Sequence, residues 1–488
     1  MKRERIESAA FAVLACIIVV CSLLLYTHKD MTGTPYSEIA AYKAANPHKN
    51  VTYTVTIYGA AEPLIIDENT ENIILTTGDQ CYGMAEQAAL LPADHPIYLN
   101  FTPTEKELLT IHEAFPEAEL VYSSYTLDGT EYKAADTEVN LSDYSYSKIK
   151  SLVPALNALP QLKSIMLVDN NGQVNLDLDE VLQLQELCPA LHLRYKFELF
   201  GQMVTTDMER LDYVKVPIRD SGLDEFRKVM PIMKKLTHLQ LDTCKTSDEA
   251  TAALRDELAP QCKVVWRVFF GQNDALTDTY KIWATWNLNS DEIRALKYFT
   301  ECKYIDLGHN HFTHLDFMNY MPDLEMAIVA LNDLRDISAI ANCTKLEYLE
   351  IFTNVALTDE DMVHLSGLTN MKYLNVSNLP QLRSLAFTDN MPNLRWLWCT
   401  MSYIPKAEVQ RVKDLHPDCI VNYIYFTGDP TDYGWRYTAT PKDQEPIKSS
   451  VYTLVRARFG YDTWDYSKDG RGHLREEITF ESMGLTPP

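Results

Sequence analysis

Apolar and polar residues alternate in five short runs of this chain, each entered through a proline and closed by a glycine. The runs read NPHKNVTYTVTIYG, FPEAELVYSSYTLDG, CPALHLRYKFELFG, APQCKVVWRVFFG and HPDCIVNYIYFTG, and they end at Gly59, Gly129, Gly201, Gly271 and Gly428. Alternation with period two predicts a strand with one buried face. The proline predicts the end of a preceding helix, because it disfavours helical geometry in the residue before it. The glycine predicts a turn out of the strand. The first three spacings are 70, 72 and 70 residues, and the last is 157. Self-similarity at a fixed period marks a repeat architecture.

A second pattern subdivides the long unit. LKSIMLVDN begins at Leu162, LTHLQLDTC at Leu236 and CKYIDLGHN at Cys302. LEMAIVALN follows at Leu324, LEYLEIFTN at Leu346, MKYLNVSNL at Met371 and LRWLWCTMS at Leu394. From Cys302 the starts step by 22, 22, 25 and 23 residues. The ninth position holds Asn170, Cys244, Asn310, Asn332, Asn354, Leu379 and Ser402. This resembles the leucine-rich repeat pattern, strongly over 280–404 and as a weaker periodicity over 37–280. The resemblance implies an α/β leucine-rich repeat solenoid, a curved parallel sheet with helical returns, in which stacked coils bury what one coil cannot. The return segments SDEIRALKYFTEC and TDEDMVHLSGL place Ser290 and Thr358 at their expected N-caps. The expected division is a long-unit region over 37–301, short coils over 302–428 and a C-terminal cap over 429–488. YSEIAAYKAANP is expected to close the other end.

The N-terminus adds a membrane expectation. Basic MKRERIES precedes AAFAVLACIIVVCSLLLY, eighteen uncharged residues at 9–26. That length is at the threshold for a span, with no small-residue cleavage site after it. The expected arrangement is a cytoplasmic tail at 1–8, a transmembrane signal anchor at 9–26, a linker at 27–36 and the remainder outside the cell. The lipid bilayer would then be one partner, through 9–26. Asp and Glu number 68 against 44 Lys and Arg, a net charge of −24. Such a balance argues against a nucleic-acid partner, since phosphate contacts need a basic surface.

Ten cysteines occur without a Cys-x-x-Cys. Most fall at repeat positions that want a small buried group, such as Cys244, Cys302, Cys343 and Cys399. A disulfide between neighbouring coils stays open. The flanking cysteine caps of animal extracellular leucine-rich proteins are missing, which leans toward a bacterial surface protein.

Candidate chemistry concentrates on one strand face. In the repeat, the third, fifth and seventh positions point away from the core of the coil. They place Tyr304, Asp306, Met326, Tyr348, Glu350, Phe352, Tyr373, Trp396 and Trp398 on one concave surface. Exposed aromatics at that density predict binding of a protein or a glycan, since ring faces stack on sugars and anchor peptides. The competing reading is a cross-strand ladder that stabilises the sheet. His309, His311 and His314 read as a solvated turn rather than a metal cluster. DYSKDGRGHLRE puts Asp465, Ser467, Asp469, Gly470 and Glu476 at calcium-loop positions, but Gly472 stands where that loop wants an aliphatic residue. A charged turn is the preferred reading there, and no metal or cofactor is assigned. Motifs for acyl transfer, zinc hydrolysis, nucleotide binding and dinucleotide binding are missing from the sequence. The resulting expectation is a non-enzymatic cell-surface recognition protein. A structural role in an envelope complex, or an envelope enzyme with its site in the C-terminal region, are the alternatives.

Overall fold

The computed structural model describes residues 27–59, 62–285 and 287–423. It also describes Val13, Cys16, Ile17 and the stretches 437–438, 447–448, 450–459, 464–465 and 473–474. Two compact units form: Met1–Met208 with Lys228–Leu236, and Glu209–Arg227 with Thr237–Pro488.

In the first unit, a parallel pair, His28–Asp30 with Asn50–Thr52, is followed by two parallel sheets of three strands. Ile73–Leu75, Ile97–Leu99 and Leu120–Val121 form one sheet, and Glu138–Asn140, Ser164–Met166 and His192–Arg194 another. Val139, Ile165 and Leu193 stand in register across the second sheet, all buried. Two of the helices between the strands, Glu105–Ala114 and Leu178–Leu187, carry complete capping boxes, Thr104 with Glu107 and Asp177 with Glu180. Each box satisfies orphan N–H groups of a first helical turn.

The five prolines act as the spacing predicts. Pro47, Pro116, Pro189, Pro260 and Pro417 each directly follow a helix C-cap, at Asn46, Phe115, Cys188, Ala259 and His416. The glycines do something the pattern left unstated. Past the third parallel strand the chain runs on into an antiparallel hairpin, such as Ser124–Leu127 with Thr130–Lys133 and Lys196–Leu199 with Gln202–Thr205. The two-residue loops Asp128-Gly129 and Phe200-Gly201 have φ of 50° and 82°, and of 51° and 79°. Positive φ at both central residues matches the right-handed twist of the flanking strands, so glycine is favoured there. In the second unit Lys263–Phe270 does both jobs. It pairs in parallel with His238–Asp242 and then antiparallel with Asn273–Leu276. The single continuous solenoid sheet is therefore corrected to shorter parallel sheets separated by hairpins.

From Lys281 the strands pair without interruption in one seven-stranded parallel sheet. The strands are Lys281–Trp283, Tyr304–Asp306, Met326–Ile328, Tyr348–Glu350, Tyr373–Asn375, Trp396–Trp398 and Ile420–Asn422. Ile282, Ile305, Ala327, Leu349, Leu374, Leu397 and Val421 align as one buried row facing the coil interior. The turn asparagines tie successive coils together. Asn354 Nδ2 donates to the carbonyls of Ile351 at 2.8 Å and of Val329, one coil back, at 3.1 Å. Asn310 and Asn332 repeat this with Leu307 and Ala284, and with Val329 and Leu307. Cys244 substitutes with a weaker thiol donor, Sγ lying 3.3 Å from the Tyr213 carbonyl. The residue before each of these four positions is left-handed, and so is the one before Leu379 and before Ser402: Thr243, His309, Leu331, Thr353, Asn378 and Met401.

Short coils also change the returns. Segments expected as helices are 3-10 turns at Glu292–Tyr298, Asp316–Tyr320, Ser338–Asn342 and Ala386–Thr388. A coil of 22 residues leaves little chain for a return, and the tighter helix spans the distance with fewer residues. Thr358 does cap its segment, its N–H and hydroxyl both meeting the Asp361 carboxylate at 2.8 Å. Ser290 does not. Asn289 caps instead, its Oδ1 accepting from the N–H groups of Asp291 and Glu292.

The single-pass membrane expectation is corrected. Among the described residues no helix is long and apolar enough to cross a membrane. A span needs about 20 consecutive apolar residues, whereas the helix Tyr146–Ala158 has 13, is amphipathic and contains Pro154. Of 9–26, only Val13, Cys16 and Ile17 are among the described residues. The nine cysteines that are described are all free thiols, eight of them buried, so no disulfide joins those coils.

Candidate functional site

The sheet face opposite the buried row carries two further rows. Lys281, Tyr304, Met326, Tyr348, Tyr373, Trp396 and Ile420 stand in register in one; Trp283, Asp306, Ile328, Glu350, Asn375, Trp398 and Asn422 form the other. The aromatic stripe thus exists where the repeat spacing puts it, and adjacent rings touch. Tyr348 and Tyr373 lie 6.1 Å apart, Trp396 and Trp398 6.3 Å, centre to centre.

Its solvent exposure is corrected. Tyr304 is 2%, Tyr348 1% and Trp398 8% exposed; Asp306 and Glu350 are buried as well. Tyr373 and Trp396 are half-buried. The cover comes from the same chain: the helix Ser450–Phe459 lies on this face. Val455 and Phe459 are fully packed into one cluster with Tyr304, Met326, Ile328, Tyr348 and Trp398, and Leu454 borders it. Phe352, although half-buried, stands outside that cluster.

The contacts at the end of the helix are specific. The Phe459 ring meets Tyr304 edge-on, 6.4 Å between centres at 71°, and Tyr280 meets Tyr304 from another side at 6.1 Å. The Arg458 guanidinium lies 5.1 Å from the centre of the Tyr304 ring, within cation–π range. Lys281 Nζ donates to the Phe459 backbone carbonyl at 3.1 Å. A cation at the carbonyl end of a helix is favoured by the orphan acceptors and the dipole there. Burial pulls the Lys281 ammonium below the usual lysine range and pushes the Tyr304 phenol up to about 12. Polar tips on the face are held as well. Tyr304 Oη donates to Glu325 at 3.4 Å, Tyr348 Oη bonds to Glu350, and Trp396 Nε1 donates to Asn422 Oδ1 at 2.7 Å. Asp306 Oδ1 accepts from the Gly308 N–H at 3.1 Å.

Lys281, Tyr280, Ile328 and the helix itself are the residues that sequence reasoning missed. A signal for the helix was present. Val451, Leu454, Val455 and Phe459 fall at i, i+3, i+4 and i+8, the spacing of one apolar helix face.

The other candidates come together less. His309, His311 and His314 do not converge, and no group of three or more possible metal ligands occurs among the described residues. His311 faces Asp333, and His314 faces Asp316. Of the calcium-loop candidates, Asp465 lies in a two-residue strand paired with His473–Leu474. Ser467, Asp469 and Glu476 lie outside the described residues, as does Gly428. A separate cavity of about 240 Å³ is lined by Arg255, Pro260, Cys262, Lys263 and Tyr298 among others. Its cations are engaged: Lys263 pairs with Glu301, and Arg255 pairs with Asp256 and lies over Trp266.

Neither a protein-family model nor a curated protein matches this sequence. Solved structures do resemble it. An internalin (inlF) of Listeria monocytogenes is 16% identical, with 66% of this chain and 84% of that one covered and a TM-score of 0.28. A leucine-rich repeat protein of Leptospira interrogans is 15% identical, with 72% and 90% covered and a TM-score of 0.28. A chain of the octameric complex of Latrophilin 3, Unc5D and FLRT2 (LRR) is 14% identical, with 59% and 88% covered and a TM-score of 0.26. The fold assignment rests on this chain's own geometry: stacked coils of 22 to 25 residues, one parallel strand each, and a turn asparagine bonded to the coil before. That geometry is the leucine-rich repeat fold.

Proposed function

We propose that this chain is a recognition protein whose binding surface is the aromatic face of the seven-stranded sheet, and that its ligand is a polypeptide. The residues assigned to the surface are Tyr304, Asp306, Tyr348, Glu350, Phe352, Tyr373, Trp396 and Trp398. One observation carries the reading: a helical segment already lies on that face, with Val455 and Phe459 buried among the rings. A helix laid into an apolar groove is a recurring mode of peptide recognition. Stacking on a sugar would need free ring faces, which favours protein over glycan.

The test probes arrays of proteins and of glycans with the full chain and with the double variant Trp396→Ala/Trp398→Ala, after both show the same far-UV signal and melting. A protein bound by wild type and lost in the variant supports the reading. A protein held equally by both, or a glycan as the ligand lost, sinks it.

A further inference from the structure

We infer that the aromatic face is a receptor for a short basic helix, and that residues 450–459 are its resident occupant, so an outside partner must carry the same chemistry and displace them. This rests on the recognition reading above and adds the class of partner and the means of control.

The chemistry is set by what the face offers. Its apolar centre, Tyr304, Met326, Ile328 and Tyr348, takes an aliphatic residue and an aromatic one four positions later, as Val455 and Phe459 do. Residues four apart lie on one helix face. Around that centre stand carboxylates: Asp306 and Glu350 on the strands, and Glu325, one residue before its strand and also paired with Lys303 at 3.5 Å. The occupant's sequence, SVYTLVRARF, holds two arginines and no acidic residue. Arg458, three positions after Val455, stacks over Tyr304, whose hydroxyl reaches Glu325. Lys281 then marks where the helix must end, because its ammonium holds the last carbonyl. The partner is therefore a helix with an aliphatic residue at i, arginine at i+3, an aromatic at i+4, and its C-terminus at Lys281.

Covalent attachment gives the resident helix an advantage without any better contact. A tethered segment acts at an effective concentration in the millimolar range. When it fills the face in about 90% of molecules, an outside copy binds about tenfold more weakly. Partner binding would be held down until the partner is abundant or fits better than the resident.

The probe is a synthetic peptide, SSVYTLVRARFG, carrying a fluorophore. It is titrated into the wild-type full chain and into the full-length variant Val455→Asp/Phe459→Asp, whose own helix no longer fits. The opened variant should take the peptide at least about tenfold more tightly than wild type, as release of a 90% occupied face requires. A peptide with Phe459→Asp should bind neither. Equal binding to both chains, or none to the opened variant, would falsify the inference. Because the variant could disturb the sheet, hydrogen exchange on wild type supplies a second reading. Saturating peptide should strip protection from the amides of 454–459 and leave those of 304–306 and 348–350 protected. Unchanged protection of 454–459 counts against displacement. The two readings also fail separately. An array partner bound equally by wild type and the opened variant overturns self-occupation but not recognition. Peptide uptake by the opened variant, with array binding indifferent to Trp396 and Trp398, does the reverse.

Discussion

Asn354 is fully buried, and its amide serves two carbonyls while its oxygen accepts from the Leu334 N–H. Asn354→Ala orphans three buried backbone groups, each costing about 1–3 kcal/mol when unmade. The expected loss is about 3 kcal/mol or more in urea unfolding. Ser402→Ala, at the equivalent position, loses two hydroxyl donations of 3.4 and 3.5 Å and the Leu379 N–H that its Oγ accepts at 3.3 Å, and should cost less, about 1 kcal/mol, because bonds that long contribute little. Equal losses would mean that the ladder does not act through these bonds. The thiols make a pH prediction. Burial pushes Cys302, Cys343 and Cys399 from an ordinary 9.0 up to about 12. A raised folded value favours the neutral thiol in the folded state. That stability is fully present below pH 9 and falls as pH rises toward 12, because the unfolded chain gives up its protons first. Melting should therefore drop across that window, and iodoacetamide at pH 8 should leave these three unmodified until the chain unfolds. The positions of Asn310, Asn332, Asn354 and Cys244 were legible in the sequence, since each stands at the ninth place of a coil. The left-handed residue before each was not, because His, Leu and Thr share no signature for it.

Hairpins are the elements that periodicity alone misreads. An alternating run followed by glycine reads the same whether the next segment returns through a helix or folds straight back. The hand of the two-residue loop decides, and that is a matter of φ. Gly129 has φ of 82° with open space where a Cβ would go. Gly129→Ala should thus cost only the left-handed penalty, about 1–2 kcal/mol, read as a lower denaturation midpoint. A loss well beyond that would mean packing at the site. At the returns the difference runs the other way. The apolar spacing in SDEIRALKYFTEC was visible, but the number of residues available between strands selected the tighter 3-10 turn.

Net charge acts on the whole molecule. At −24, like-charge repulsion should oppose folding most at low salt. Raising salt from about 0.01 M to about 1 M shortens the Debye length from about 30 Å to about 3 Å. Melting should rise over that range even though exposed ion pairs such as Lys345–Asp323 weaken, since such pairs contribute little. A falling melting temperature would show that local pairs outweigh the net repulsion. The sequence by itself determined the coils, the row from Ile282 to Val421 that faces their interior, the turn asparagines and the aromatic stripe. Each of these is written in a period of 22 to 25 residues and satisfied by the adjacent coil. Only the tertiary structure decided what covers the stripe. Phe459 is 155 positions from Tyr304, and an apolar helix face spaced i, i+3, i+4 reads alike whatever it packs on; no local period encodes that contact, which comes from shape, a stacked arginine and the carbonyl that Lys281 holds.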